Sequence, residues 1–226
     1  MCDHAVWDVQ VEALSDIADT HLIEWGVEHT SLVRMAEAVL QSAPERFALA
    51  GHSMGGRVAF EVYRRAPQRV TRLAVMNTGT APLASGEAGA TEKNDRMRLV
   101  DIAVQRSIQA MALEWLKGMI PPYRQNDEPL VTAIIQMFER KTPQIFLTQQ
   151  EALLSRPDAR PVLAQIKCPT LVLTGADDQW SGPARHEEIA AGINGSKLVV
   201  VPKCGHMSTM ERPEEVSAAM REWLTN

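Results

Sequence analysis

Cysteine is scarce in this chain. Its 226 residues hold three, Cys2, Cys168 and Cys204, an odd number with no CxxC pair. That argues against a disulfide framework and suits a reducing compartment, so a cytoplasmic protein is predicted. Long apolar runs are missing as well: none approaches the roughly 18 residues of a membrane span. Residues 1–8 carry acids where a secretory leader has lysines and an apolar core. There is no basic excess either. Lys and Arg total 23 against 28 Asp and Glu, a net charge of -5, which offers neither nucleic acid nor an anionic membrane an electrostatic reason to bind. Acidic substrates stay open, because a local pocket can differ from the total. No internal repeat or low-complexity tract is present.

What is there is an ordinary globular composition, 45% hydrophobic and 23% charged. A chain of this length favours one domain that buries its core without staples or metals. Short apolar runs alternate with helical spacing. Residues 21–25, 47–50, 70–76, 169–174 and 197–201 read as strands. Residues 5–14, 31–41, 58–66, 183–193 and 213–224 read as helices. The strand candidates are continuously apolar, so both faces should be covered. That is the mark of an α/β protein with a mostly parallel sheet between helices. Residues 82–165 break the rhythm. They open on a Gly/Ala/Ser stretch at 84–90, read as a mobile loop, and continue with helical patterns at 96–119, 128–140 and 143–154. The prediction is a single domain, 1–226, with 82–165 as a helical insertion.

Chemistry is concentrated in three places. Gly51-His52-Ser53-Met54-Gly55 fits G-x-S-x-G between a strand and a helix. A nucleophile on such a turn is lifted out of the sheet, and its neighbours must be small to avoid clashes. The helix N-terminus favours developing negative charge. A glycine-rich turn with a capping serine is the plain alternative. Serine needs a base, and of six histidines His206 sits in a loop after a strand candidate, before the last helix. His52 is read as packing, and His4, His21, His29 and His186 as solvated. A base histidine needs a third group to fix its tautomer. Asp177 and Asp178 both follow the strand at 169–174, and one of them should face the site.

The order Ser53, aspartate, His206, each in a loop after a strand, resembles the α/β-hydrolase superfamily. Gly175-Ala176-Asp177-Asp178 is similar to that family's G-x-x-D acid loop and points to Asp178. Gly205-His206 is similar to its G-H loop, and 82–165 to its helical cap. The resemblance spans nearly the whole chain. It implies a serine hydrolase acting on small, largely apolar carboxylic esters through an acyl-enzyme, with no cofactor and no metal. The N–H of Met54 should donate to the oxyanion. Trp115 and Phe146 of the cap, with Trp180, should line an apolar pocket, against the plainer reading of helix packing. Carbon–carbon bond or thioester cleavage uses the same residues, and a non-catalytic binding protein of the same fold is the other alternative.

The chain begins just past the family's H-G-x loop, which carries a second oxyanion donor. In the family's strand order a central strand would lie between the strands at 21–25 and 47–50. A shortened N-terminus, unpaired backbone groups there, weak turnover and low stability are therefore expected.

Overall fold

The computed structural model describes residues 1–226. Helix α1 (Asp8–Leu14) and helix α2 (Leu32–Ser42) come first. Strand β1 (Phe47–His52) runs into α3 (Met54–Arg65), and β2 (Val70–Met76) follows. Five helices then intervene: α4 (Gly86–Gln105), α5 (Ile108–Met119), α6 (Glu128–Glu139), α7 (Pro143–Leu154) and α8 (Arg160–Leu163). Strand β3 (Thr170–Gly175), α9 (Pro183–Gly192), β4 (Lys197–Val201), α10 (Ser208–Glu211) and α11 (Pro213–Thr225) complete the chain. The four strands form one parallel sheet in the order β1-β2-β3-β4.

Side-chain alternation explains why the strand sequences are apolar throughout. In β2, Leu73 and Val75 enter a core shared with Met35 of α2, Phe60 of α3 and Ile189 of α9. Ala74 and Met76 enter a second core with Leu14 of α1 and with Val216 and Trp223 of α11. A two-residue period serves both faces, so each face needs its own helical layer. Local signals agree. Ser31 caps α2 by accepting the Arg34 N–H, and Leu32, Met35, Ala36 and Val39 form its buried stripe. Pro213 opens α11 with Glu214 and Glu215 in its first turn, where the helix dipole favours acids. The helices between β2 and β3 hold a third core, around Met111, Phe138 and Phe146.

Two expectations need correction. Residues 21–25 are not a strand: the stretch 18–26 has no regular secondary structure. Ile23 and Trp25 are half-buried against the first core while Leu22 is exposed, so the alternation is present without a ladder. A strand needs a hydrogen-bonded neighbour, and none lies alongside. Side chains hold the segment instead, with Glu24 accepting from His4 and Lys141. Nor is most of 84–90 a loop, since residues 86–90 are helical. Helix α4 starts at Gly86, and Gly89 lets the backbone of Ala84 approach, since a Cβ there would lie 1.9 Å from the Ala84 carbonyl oxygen.

The outer edge of β1 has no partner strand. Between it and residues 20–25 lies one arm of a cavity of about 1630 Å³ that continues past Ser53 to the cap helices. Small-molecule pockets are usually ~300–1,000 Å³, so this space combines a substrate-sized crevice with a gap beside the sheet.

Candidate active site

The C-terminal ends of all four strands supply the site. Ser53 follows β1, Asn77 follows β2, Asp178 follows β3 and His206 follows β4. In a parallel sheet these ends share one side, where strand-to-helix loops gather. Ser53 has φ 54° and ψ -115°, a conformation that strains a residue bearing a Cβ. The turn is held by its neighbours: Ser53 N–H donates to the Met76 carbonyl at 2.8 Å, and Thr78 Oγ1 donates to the Ser53 carbonyl at 2.7 Å. Gly51 is sterically required, because a Cβ there would lie 2.3 Å from the Gly55 carbonyl oxygen. The same expectation for Gly55 is wrong, since a Cβ there would face open space. Met54 opens α3, where first-turn N–H groups have no intrahelical acceptor.

Ser53 Oγ lies 2.8 Å from His206 Nε2, and His206 Nδ1 lies 2.9 Å from Asp178 Oδ2. The carboxylate accepts a proton only from Nδ1–H, so Nε2 is left to accept from the serine hydroxyl. Asp178 and His206 are buried, and Ser53 is half-buried. Asp178 is fully engaged. Its Oδ1 accepts from the N–H groups of Trp180 and Ser181, each at 2.9 Å, and its Oδ2 accepts Asn77 Nδ2 at 2.9 Å besides His206. Burial works against its charge, but the charge and hydrogen bond of His206, with the Asn77 and Ser181 donors, hold the carboxyl well below the usual carboxylate range. Asp177 is exposed and accepts the Tyr123 hydroxyl, so of the two aspartates only Asp178 meets His206.

Three supporting residues were not recognised in the sequence. Asn77 is fully buried, with φ 48°, and also donates to the Gly205 carbonyl and accepts from Ser208. Glu211 accepts the N–H groups of Gly205 and Met207, each at 2.9 Å, clamping His206 from both sides. His186 was expected to be solvated, yet it is fully buried. Its Nδ1 donates to the Gly182 carbonyl, which leaves Nε2 to accept the Thr78 N–H at 3.1 Å. Thr78 in turn holds Ser53. His52 does more than pack: its Nε2–H donates to the His206 carbonyl at 2.7 Å. Burial pushes both His52 and His186 down to about 4. An asparagine after an apolar strand, in a helix-free turn, was the one available hint for Asn77.

The cap reaches the site through residues 119–124. The Met119 carbonyl accepts the His206 N–H at 2.9 Å, Tyr123 bonds Asp177, and Arg124 donates to the Glu211 carbonyl at 3.1 Å. Trp115 stacks on Trp180 at 5.7 Å between centroids, and Trp180 lies 4.8 Å from the His206 ring. Both tryptophans line the cavity. Phe146 does not: it is fully buried behind Trp115, 5.2 Å from its ring. Asp3, His4 and Glu24 converge closely enough to suggest metal ligands, but Arg140 and Lys141 already pair with the two carboxylates.

A strained serine on a strand-to-helix turn, bonded through a histidine to a buried aspartate, carries the comparison with known proteins. The sequence profile of the Alpha/beta hydrolase family matches residues 9–219. The chain belongs to the alpha/beta hydrolase family. This alpha/beta hydrolase is 25% identical to a pimeloyl-[acyl-carrier protein] methyl ester esterase of Nitrosomonas europaea, over 93% of its own length and 86% of the relative's. It is 28% identical to a 2-hydroxy-6-oxo-6-phenylhexa-2,4-dienoate hydrolase of Burkholderia cepacia, over 79% of its length and 62% of that protein's. A thermophilic esterase from Thermogutta terrifontis, solved with malate bound, superposes with a TM-score of 0.82 at 27% identity, covering 99% of this hydrolase and 85% of the esterase. The relatives thus include esterases and a carbon–carbon bond hydrolase. No helix is long and apolar enough to cross a membrane, and all three cysteines are free.

Proposed function

We propose that this hydrolase cleaves small, largely apolar carboxylic esters through an acyl-enzyme on Ser53. The observation that carries the reading is the bonded series Ser53 Oγ, His206, Asp178, at 2.8 and 2.9 Å. His206 Nε2 takes the hydroxyl proton as Ser53 attacks the ester carbonyl. Asp178, already ionised, stabilises the imidazolium that forms. The Met54 N–H, at the helix N-terminus, donates to the oxyanion. His206 then protonates the departing alkoxide, and in the second half it takes a proton from water that attacks the acyl-enzyme. Neither half calls for a cofactor or a metal. Trp115 and Trp180 give the acyl chain an apolar wall. Free thiols suit a reducing compartment, so the cytoplasm is the proposed setting.

The test is a fluorophosphonate probe together with a panel of p-nitrophenyl esters. Labelling at Ser53, ester turnover, and loss of both in Ser53→Ala are expected. A chain that folds but neither labels nor turns over esters would be a binding protein instead. The Burkholderia cepacia relative favours one second reading, hydrolysis of a carbon–carbon bond with the same three residues. Labelling without ester turnover would support it.

A further inference from the structure

The cavity that exposes Ser53 has a charge imbalance on its far wall. Four guanidinium groups converge there: Arg57 from α3, Arg96 from α4, Arg156 just after α7 and Arg185 from α9. Glu92 is the carboxylate among them, and it is already taken. Arg156 bonds both of its oxygens at 2.8 Å, and Arg96 bonds Oε1 at 2.9 Å. Asp95 and Glu188, exposed on the same wall, pair with none of the four. Arg57 is left without a carboxylate. Its one hydrogen bond is from Nη1 to the Ala81 carbonyl at 3.0 Å, and that oxygen also receives Arg156 Nε at 3.2 Å. A guanidinium has five N–H donors in a planar fork, so most of this one is free.

Arg57 sits one helical turn after Ser53, its backbone N–H donating to the Ser53 carbonyl. Burial, then the charges of Arg156, Arg185 and Arg96, push its ionisation down to about 9. A half-buried cation with three cationic neighbours, and with the nearby Glu92 carboxylate bonded to two of those neighbours, is in an unfavourable arrangement in the free protein. An anion in the cavity relieves it. The opposite wall, at Trp115 and Trp180, is apolar, so the space between suits a chain with a charged end.

We propose that Arg57, backed by Arg96, Arg156 and Arg185, is an anion subsite for a carboxylate at the far end of the ester substrate. The preferred substrate is then the half-ester of a dicarboxylic acid. This deepens the ester-hydrolase reading and, for turnover, rests on it. A carboxylate is chosen over a phosphate because the planar fork of Arg57 matches the planar pair of carboxylate oxygens.

The kinetic test compares kcat/KM for monomethyl esters of straight-chain diacids, succinate to suberate, with methyl esters of monoacids of matched length. At one chain length the half-ester should be favoured by at least about tenfold, the worth of a charge-assisted hydrogen bond. Arg57→Gln should collapse that ratio towards one, and Arg57→Lys should reduce it partly. Arg98→Gln removes an exposed arginine that pairs with Glu114 outside the cavity, and should leave the ratio intact. Equal losses for both ester types in Arg57→Gln would mean a merely structural arginine and overturn the proposal. A binding test runs without turnover. In Ser53→Ala, calorimetry should detect the free diacid, binding at least about tenfold more weakly once Arg57→Gln is added. Equal affinity with and without Arg57, equal binding of the neutral diamide, or tighter binding of inorganic phosphate would each defeat it. Because this arm needs no ester cleavage, failure of the hydrolase reading and failure of the subsite are told apart.

Discussion

The two walls of the cavity around Ser53 are built on opposite plans. On the His206 wall the polar atoms are used. Asp178 has four donors, Glu211 clamps the loop, and Asn77 bonds in three directions. On the far wall Arg57 has one bond and no bonded carboxylate, and the edge of β1 has no neighbour. Proton transfer needs fixed distances and a fixed tautomer, so the first wall is over-determined. A surface that waits for a ligand keeps unmet donors, and the second wall does. Under the proposed reading, satisfaction and vacancy of hydrogen bonds divide one cavity into a chemical half and a binding half.

Breaking the first wall should have the largest effect. Asp178→Asn keeps the shape but donates where it should accept, and should lower ester turnover by roughly 10⁴-fold in steady-state assays. Asn77→Ala removes one donor from the buried carboxylate, and turnover should fall roughly 10–100-fold, the worth of a hydrogen bond to a charged group. An unchanged rate would show that Trp180, Ser181 and His206 suffice to hold Asp178.

The cap separates wall from backing. Trp115→Ala should change relative kcat/KM among acyl chain lengths by about tenfold. Phe146→Ala, one layer behind, should instead cost about 3–5 kcal/mol of stability and leave the order of chain lengths alone. A reordered chain-length profile in Phe146→Ala would move the pocket deeper than the cavity wall suggests.

Acid sharpens the comparison. His52 and His186 are neutral when buried and titrate near 4, against 6.5 when free. Below pH 6.5 the unfolded chain takes up protons that the native protein refuses, so stability falls as pH drops to about 4 and then levels. At pH 5 each histidine should account for a loss of about 2 kcal/mol. His186→Gln should remove about half of the loss between pH 7 and 5, read from urea midpoints. The Asp178 contribution is lost in a separate and more acid window, because its carboxyl is held below the ordinary range. The smallest effect belongs to Asp177→Asn, which touches Tyr123 and not His206, and turnover should stay within about threefold of wild type.

How far the sequence could be read follows from where each signal lies. Ser53, Asp178 and His206 were legible because each stands at a fixed offset from a strand end, beside glycines that have steric work to do. A Cβ on Gly175 would lie 2.2 Å from the Cys204 carbonyl oxygen, which is why the acid and base loops can approach. The positions of β1 to β4, and a sheet covered on both faces, followed from apolar runs that serve two faces. Residues 21–25 were misread because local alternation says nothing of whether a partner strand lies alongside. His186, Asn77 and Glu211 were missed for a related reason. Their partners lie far away in the chain or in backbone groups, and no spacing rule reports those. Phe146 was assigned to the pocket because a large apolar side chain in the cap marks a buried position without telling the surface layer from the one beneath.

The bonds from residues 119–124 to His206, Asp177 and Glu211 have a mechanical meaning. They are a seam on one side of the cap, joining it to the loops that carry His206 and Asp178. The cap is stitched elsewhere as well: the Ala159 N–H donates to the Thr80 carbonyl, Arg156 donates to the Ala81 and Pro82 carbonyls, and Arg140 and Lys141 pair with Asp3 and Glu24. A cap held at several places acts as part of the cavity wall, and lifting it breaks bonds at His206 and at Thr80 alike.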